Sequence, residues 1–337
     1  MKILVTVPEG PVRTSFFPPH VCERLESLGE VEYNTTGRNY TSEELHEHLL
    51  GKDVALTGWG TGLLDENVLR GNDTLKLLAH TGGAVTPVAS DYLYGKGIKV
   101  ISGNRLYAES VAEAVIAYAL ASLRRIPEFT QRSREGGWYE GEIWEGLLDQ
   151  TVGIVGFGMI SKSLMQLGKT FRLKFKVVDK PYITEEDKKT YGFETASIEE
   201  IFSTCKIISI HSAMTDKTFH MVNERLLSMI PDGALLINTA RGPVIDEQAL
   251  IKELEKKRFN AVLDVYEAEE PLPLDYPLRK LDNVICIPHM GGPTYDRRKM
   301  VTLALADDIE SFFFGSGELK QEISQTYASR MTSAKST

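Results

Sequence analysis

"TVGIVGFGMIS", residues 151–161, is the stretch that decides the fold of this chain. Its apolar first half predicts a buried strand, and the residues from Met159 onward have the spacing of a helix. Gly156, Gly158 and Ser161 occupy the three positions that glycines hold in a dinucleotide-binding turn. The serine is expected to loosen the packing of the helix against the strand. By itself the pattern also fits an ordinary turn between a strand and a helix.

The next predicted strand, "FKVVD", strengthens the dinucleotide interpretation because it ends in Asp179, about 20 residues after Gly158. A carboxylate at this position accepts hydrogen bonds from the adenosine ribose hydroxyls and repels a 2′-phosphate. We therefore predict that the chain binds NAD(H) in preference to NADP(H), although Lys180 could tolerate the phosphate. Met159 and Ile160, which begin the helix, complete the predicted turn.

Short apolar runs alternate with helical patterns along most of the chain. That alternation is typical of parallel sheets with crossover helices, and it predicts a fold of the α/β class. Predicted strands begin near residues 2, 53, 76, 98, 151, 175, 206, 233, 259 and 283.

Two long helical segments indicate how the chain is divided. They are "SVAEAVIAYALASLRRI" from residue 110 and "DRRKMVTLALADDIESFFF" from residue 296, and they flank the central block of strands. At 337 residues the chain also exceeds the usual size of one core. We predict a central domain, residues 105–293, inserted in a split outer domain of residues 1–104 and 294–337.

The composition limits the class of protein. The net charge of −9, from 38 basic and 47 acidic residues, argues against nucleic acid or an anionic membrane as the partner. Neither a run of eighteen apolar residues nor a signal peptide is visible, so we expect a soluble, cytoplasmic protein. The spacing of cysteine, histidine and acidic residues indicates no metal site.

Polar side chains follow three successive predicted strands of the second half. Arg241 lies in "LLINTARGPVID" (235–246), four acids lie in "LDVYEAEEP" (263–271) and His289 lies in "IPHMGG" (287–292). Each alone has a plain explanation as a residue that leaves the core or caps a strand. Together they lie at the strand ends where open α/β sheets hold ligands. An arginine that grips a carboxylate, and a histidine kept protonated by an acid, suit hydride exchange between nicotinamide and a 2-oxo or 2-hydroxy acid.

These motifs resemble those of the D-isomer-specific 2-hydroxyacid dehydrogenases, which include phosphoglycerate, glycerate and D-lactate dehydrogenases. The resemblance extends from the "LTGWG" region to the helix at residue 296 and is most specific in "GIVGFG", "NTARGPVID", "LDVYEAEEP" and "IPHMGG". It implies two Rossmann-like domains, with an NAD-binding, doubly wound parallel sheet inserted in a split, flavodoxin-like substrate domain. It also implies NAD-dependent interconversion of a 2-oxo acid and a D-2-hydroxy acid.

The resemblance assigns roles to individual residues. Arg241 would bind the substrate carboxylate, and His289 would be the general acid and base. Glu269 would pair with His289 and keep it protonated, because the family's catalytic acid follows the strand-ending Asp264 by five residues. The cofactor side would consist of His211, Thr239, Ala240 and Asp264, with Asp264 near the nicotinamide carboxamide. Asp246 is interpreted separately as the N-cap of the helix that follows it.

The loop "AHTGGAVTP" (79–87) departs from the family pattern, which has a glycine-rich loop followed by an Asp-Asn pair. Gly82 and Gly83 could still expose backbone N–H groups to the substrate carboxylate, although a glycine pair is also an ordinary turn. We further expect that one of Asn104, Arg105 and Tyr107 contacts the substrate.

Two of the three tryptophans lie in "RSREGGWYEGEIWEGL" (132–147), a charged, glycine-containing stretch. Exposed aromatic residues of this kind predict a partner surface, and in the family the corresponding arm forms a homodimer. The other interpretation is a loop packed on its own domain. Two further functions stay open: an NAD(H)-sensing, corepressor-like binding protein, and a phosphite-type dehydrogenase. Glu269 argues against a formate-type dehydrogenase, which has glutamine at that position.

Overall fold

A computed structural model describes residues 1–268 and 270–332. Its contacts divide the chain into two compact units. The first consists of Met1–Tyr107 and the described residues from Pro293 onward, and the second is Ala108–Gly292. The sequence predicts the two borders at 104/105 and 293/294, whereas the contacts divide the chain at 107/108 and 292/293, so the exact bounds stay a prediction.

In chain order, the strands and helices of the first part are β1 (Lys2–Val5), α1 (Pro11–Phe16), α2 (Pro19–Glu26), β2 (Glu30–Tyr33), α3 (Ser42–Leu49), β3 (Val54–Thr57), β4 (Leu77–His80), α4 (Asp91–Gly95), β5 (Lys99–Ser102) and α5 (Asn104–Leu123). Those of the central part are α6 (Ile126–Arg134), β6 (Thr151–Val155), α7 (Met159–Gly168), β7 (Lys174–Val178), α8 (Glu185–Tyr191), β8 (Phe193–Ala196), α9 (Ile198–Thr204), β9 (Ile207–Ile210), α10 (Glu224–Met229), β10 (Leu235–Asn238), α11 (Glu247–Glu255), β11 (Asn260–Leu263) and β12 (Val284–Cys286). The last two helices are α12 (Tyr295–Phe314) and α13 (Gln325–Ala328).

The first unit contains a parallel sheet with the strand order β2-β1-β3-β4-β5. This order is that of the flavodoxin-like doubly wound fold. Apolar side chains cover both faces of the sheet, with α1, α2 and α12 contributing to one core and α3 and α4 to the other. Burial on both faces explains why its central strands read as continuous apolar runs.

The second unit contains a parallel sheet with the order β12-β11-β10-β9-β6-β7-β8. This is the Rossmann arrangement, and its strand order reverses between β6 and β9. Ligands of such sheets bind at the strand carboxyl ends near that reversal. The predicted α/β class with two doubly wound parallel sheets is therefore confirmed.

Two strands are not predicted from the sequence, and both lie at a sheet edge. β2 reads "EVEY" and β8 reads "FETA", so neither has an apolar run. An edge strand needs fewer apolar side chains because part of it faces water.

The long helix α5 meets the length and hydropathy of a membrane-spanning helix, a test that core helices of soluble proteins also pass. Its residues Ala112, Val115, Ala119 and Leu123 are buried in the core of the second unit. These contacts account for its apolar composition.

Candidate active site

The glycine turn after β6 has the geometry that a dinucleotide requires. Gly156 has a φ of +109°, and a Cβ atom there would lie 2.7 Å from the carbonyl carbon of His211, so only glycine fits. Gly158 precedes the first residue of α7, and a Cβ atom on it would meet nothing within 4 Å. The space beside Gly158 is thus open, at the N-terminal end of α7, and helix N-termini attract phosphate.

Ser161, at the third position of the turn, is accommodated inside the core, and the looser packing expected from the sequence stays a prediction. The residue is fully buried, and its hydroxyl donates a hydrogen bond of 2.7 Å to the carbonyl oxygen of Gly156. The hydroxyl is thereby satisfied inside the core and ties α7 to the glycine turn.

Asp179 directly follows β7, where the sequence places it. Its backbone N–H donates to the carbonyl of Ala196 at 3.0 Å, and the residue is exposed. The carboxylate is therefore accessible at the carboxyl edge of the sheet, next to the strand that carries the glycine turn.

Two buried polar atoms at neighbouring strand ends lack a hydrogen-bond partner within the described residues. They are Nδ1 of His211, after β9, and Oγ1 of Thr239, after β10. The other ring nitrogen of His211 lies 2.9 Å from the hydroxyl of Ser209. An unpaired buried polar atom costs about 1–3 kcal/mol, so such atoms mark a place where a ligand completes the hydrogen bonding. Together with the open glycine turn, they fit a bound dinucleotide.

The turn that presents Arg241 explains why an apolar strand ends in Asn-Thr-Ala-Arg. The side chain of Asn238 accepts from the N–H of Ala240 at 3.1 Å and donates to the carbonyl of Arg241 at 3.1 Å. This pair of bonds closes the turn directly after β10.

Gly242 holds this turn against the next one. A Cβ atom at Gly242 would overlap the carbonyl group of Tyr266, because the backbone of the loop after β11 crosses it closely. The two loops that carry Arg241 and the acids of "LDVYEAEEP" therefore touch through their backbones.

Arg241 is half-buried, and its guanidinium donates to the carbonyl of Ala240 at 2.6 Å. Burial lowers the pKa of Arg241, and the neighbouring carboxylate of Glu270 opposes that shift. The ordinary arginine pKa is so high that the guanidinium stays charged at neutral pH.

Asp264 is buried and fixes the turn that contains His289. Its carboxylate accepts from the N–H groups of Met290 at 2.8 Å and Gly291 at 2.9 Å, and from the hydroxyl of Tyr118 at 3.3 Å. Burial raises the pKa of Asp264, while the two backbone donors lower it. The predicted contact between Asp264 and the cofactor stays a prediction.

The carboxylate beside His289 belongs to Glu270. Its Oε2 atom lies 2.9 Å from Nδ1 of His289, and both side chains are partly exposed. Glu269, which the sequence interpretation pairs with His289, lies outside the described residues. His289 has a φ of +49°, an uncommon backbone conformation that is often found at functional sites.

The remaining acids near this edge have structural roles. Glu267 accepts from the ring of His220 at 2.8 Å, and its N–H donates to the carboxylate of Glu247 at 3.0 Å. Asp246 is the N-cap of α11, as predicted, and accepts from the N–H of Ala249 at 3.0 Å. These contacts anchor the loop after β11 to the start of α11.

The His80–Gly83 loop lies in the first unit, at the end of β4. His80 is only 3% exposed, and its Nδ1 atom lies 2.9 Å from the hydroxyl of Thr57. Burial lowers the pKa of His80 to about 4, so its ring is neutral at pH 7. A Cβ atom at Gly82 would overlap that ring, and one at Gly83 would lie 3.4 Å from the ring of Tyr107. Only Gly82 is therefore required by its neighbour, since a Cβ atom at Gly83 would make an ordinary van der Waals contact.

Comparison with known proteins finds relatives along most of the chain. The profile of the family "D-isomer specific 2-hydroxyacid dehydrogenase, NAD binding domain" matches residues 116–291. A D-3-phosphoglycerate dehydrogenase of Methanocaldococcus jannaschii is 32% identical over 96% of this chain, which spans 59% of that protein's length. A hydroxypyruvate reductase of Thermotoga maritima is 30% identical over 84% of this chain and 92% of its own. An acyclic imino acid reductase, solved with NADPH and D-Arg, is 25% identical with a TM-score of 0.79, covering 96% of this chain and 100% of that one.

A Rossmann-type sheet with a glycine turn directly after its first strand is the arrangement that binds dinucleotides. The chain belongs to the D-isomer-specific 2-hydroxyacid dehydrogenase family. Members of this family are NAD(P)-dependent enzymes that act on 2-hydroxy acids.

Proposed function

We propose that the chain is an NAD-dependent D-2-hydroxyacid dehydrogenase that works as a 2-oxoacid reductase. The observation that carries the proposal is the contact between His289 and Glu270. Arg241 lies close enough to Glu270 for the charge of that carboxylate to raise the pKa of the guanidinium. An acid that can give up a proton and a cation that can hold a carboxylate are the two groups that reduction of a 2-oxo acid requires.

The residues divide the work as follows. Arg241 pairs with the substrate carboxylate through two parallel hydrogen bonds, which fixes the orientation of the carbonyl group. His289, whose ring contacts Glu270, donates a proton to the carbonyl oxygen as negative charge develops there. Glu270 acts through His289, because its carboxylate contacts the ring and orients it. The bound cofactor supplies the hydride.

The carboxylate role rests on Glu270 in this proposal, although the resemblance points to Glu269. Both glutamates precede Pro271, and the contact to His289 is observed for Glu270. Substituting each separately tests which of the two is needed.

For the cofactor, we propose that the glycine turn, with Gly156, Gly158, Met159 and Ile160, binds the pyrophosphate of NAD(H). We assign the ribose hydroxyls to Asp179, whose exposed carboxylate would repel a 2′-phosphate. The cofactor side further includes His211, Thr239, Ala240 and Asp264, of which the first two have buried polar atoms free to bond a ligand. In the first unit, we assign Gly82 and Gly83 as backbone donors to the substrate.

We also propose a cytoplasmic homodimer. Its support is the arm of residues 132–147, where Trp138 is 77% exposed and Ile143 is 84% exposed within the single chain. Large apolar side chains at that exposure are typical of a surface that another subunit covers. Sedimentation of wild type and of a Trp138→Ser, Ile143→Ser double variant tests the dimer, which the variant should lose.

The test of the main proposal is the loss of reduced-nicotinamide absorbance with purified protein, NADH or NADPH, and a panel of 2-oxo acids. We expect turnover with NADH and a lower kcat/KM with NADPH. Tight NADH binding without turnover on any 2-oxo acid would contradict the proposal and favour an NAD(H)-sensing protein; phosphite oxidation would indicate the phosphite-type reaction.

A further inference from the structure

Arg298, in the first turn of α12, has an unusual environment for a basic side chain. Its guanidinium carbon lies 5.6 Å from the ring centre of Phe16 and 5.4 Å from that of Trp59. Its hydrogen bonds go to the hydroxyl of Ser15 and the carbonyl of Pro293, both at 3.3 Å. Within the described residues no ion pair joins it to a carboxylate, whereas Arg24 of α2 pairs with two acids of α12. A half-buried cation held between aromatic rings without a counter-charge is a ready anion site.

Trp59 is large, apolar and 47% exposed, and the loop that carries it is well ordered by hydrogen bonds. The N–H of Gly58 donates to the hydroxyl of Thr61 at 3.2 Å, and that hydroxyl lies 2.9 Å from the hydroxyl of Thr6. The indole ring packs edge-on against Phe16, with ring centres 5.5 Å apart. An indole presented in this way is typical of a ligand-binding wall.

Tyr107 completes the cluster and joins it to the glycine loop. Its ring centre lies 6.4 Å from that of Trp59, and its ring packs against Gly83. The hydroxyl is buried and has no hydrogen-bond partner within the described residues. Burial raises the pKa of Tyr107, so the hydroxyl stays protonated and can donate a hydrogen bond to a ligand. The recognition cluster, defined as Phe16, Trp59, Tyr107 and Arg298, thus borders the loop to which we assign the substrate.

We propose that the recognition cluster binds a second anionic group, a terminal carboxylate or phosphate, on the far end of the 2-oxo acid substrate. The inference rests on the proposed function, because it supposes that the 2-oxo acid end binds beside Gly83. Arg298 supplies a fork of donors for two oxygens, and the aromatic rings keep water from screening its charge. Tyr107 offers a further donor.

The experiment compares substrates that differ in the terminal charge. One pair is 2-oxoglutarate and 2-oxo-5-methylhexanoate, in which an isopropyl group replaces the carboxylate, and the other is 3-phosphohydroxypyruvate and hydroxypyruvate. We expect the wild type to prefer the charged member of at least one pair, and the pair shows whether that group is a carboxylate or a phosphate. Arg298→Met should lower kcat/KM for the preferred charged substrate about 100-fold, since removing one partner of a desolvated charge pair is costly. In the same variant, kcat/KM for the uncharged member should change by less than about threefold.

The matched control is Arg13→Met. Arg13 is also a half-buried arginine of the first unit, lies 5.4 Å from the ring centre of Tyr33 and donates to the carbonyl of Asn34. Arg13→Met should leave kcat/KM unchanged for both members of each substrate pair. Arg298→Lys, which keeps the charge, should recover part of the preference and guards against a methionine variant that fails to fold. A wild type that prefers the uncharged members, or equal losses on both members in Arg298→Met, would overturn the inference.

A binding measurement separates this inference from the proposed function. Tryptophan fluorescence is titrated with 2-oxoglutarate or 3-phosphohydroxypyruvate in the absence of cofactor, and a Trp59→Phe variant identifies the signal of Trp59 among the three tryptophans. Quenching in the wild type but not in Arg298→Met supports the anion site even if no 2-oxo acid is turned over. Rapid turnover without a charge preference and without quenching would leave the reductase function standing and the anion site refuted.

Discussion

His289 and Glu270, which follow two neighbouring strands, approach each other to 2.9 Å. Asp264 holds the turn after His289 by accepting two backbone N–H groups, so that the ring is presented to the loop after β11. The histidine therefore depends on two acids with different tasks: Asp264 fixes its backbone and Glu270 contacts its ring.

Replacing Glu270 by glutamine should lower kcat for 2-oxo acid reduction by about 100-fold or more, because general acid catalysis contributes about 10²–10⁴. Glutamine keeps the size of the side chain but removes its charge, so the contact with the ring of His289 is weakened. Glu269→Gln is the matched control and should stay within about threefold of wild type. A pH-rate profile for both variants decides between them, and the reverse pattern would transfer the role to Glu269.

Arg241→Lys should reduce kcat/KM by about 10²-fold, because lysine keeps the charge but loses the two-pronged contact with a carboxylate. NADH affinity, measured by fluorescence titration, should change little. Arg225→Lys, at an exposed arginine paired with Glu199, is the control and should leave kcat/KM and NADH affinity unchanged. A large loss of NADH affinity in Arg241→Lys would mean that Arg241 serves the cofactor.

Asp179→Ala should weaken the binding of NADH by about tenfold and reduce the preference for NADH over NADPH. The reason is that the carboxylate accepts hydrogen bonds from the ribose hydroxyls and repels the 2′-phosphate. The measurement is the ratio of kcat/KM for the two cofactors. Asp149→Ala, which removes an exposed carboxylate of the same unit, should leave that ratio unchanged. An unchanged ratio in Asp179→Ala would reduce Asp179 to a strand-end residue.

His80 predicts a specific loss of stability in acid. Its pKa falls from 6.5 to about 4 on folding, so the unfolded chain binds the proton more readily. The stability that the neutral, buried ring provides is complete above about pH 6.5 and is lost as the pH falls toward 4, by up to about 3 kcal/mol. Unfolding measured between pH 7 and 4 should therefore depend less on pH in His80→Gln. His20→Gln, at an exposed histidine, should retain the wild-type dependence.

The sequence predicts well where periodicity carries the information. Strands with continuous apolar runs, and the glycine turn with Asp179, can be predicted from the sequence alone because local spacing determines them. The edge strands β2 and β8 cannot be predicted in this way, since several of their side chains are exposed or only partly buried.

The family resemblance pairs Glu269 with His289, and spacing alone cannot choose between the two adjacent glutamates. The observed contact to His289 belongs to Glu270, while Glu269 lies outside the described residues, so its pairing stays a prediction. The recognition cluster lies beyond sequence patterns altogether, because Trp59 and Arg298 come from distant parts of the chain and meet only once α12 packs on the sheet.

The close backbone crossing at Gly242 has a mechanical consequence. Since the turn of Arg241 and the loop after β11 have no side chain between them, neither can shift by much without displacing the other. We expect their amides to exchange hydrogen together, as one cooperative segment, and not as two independent loops. In Gly242→Ala the added methyl group would wedge this segment apart, so that a single substitution outside the Arg241, Glu270 and His289 set would misalign all three.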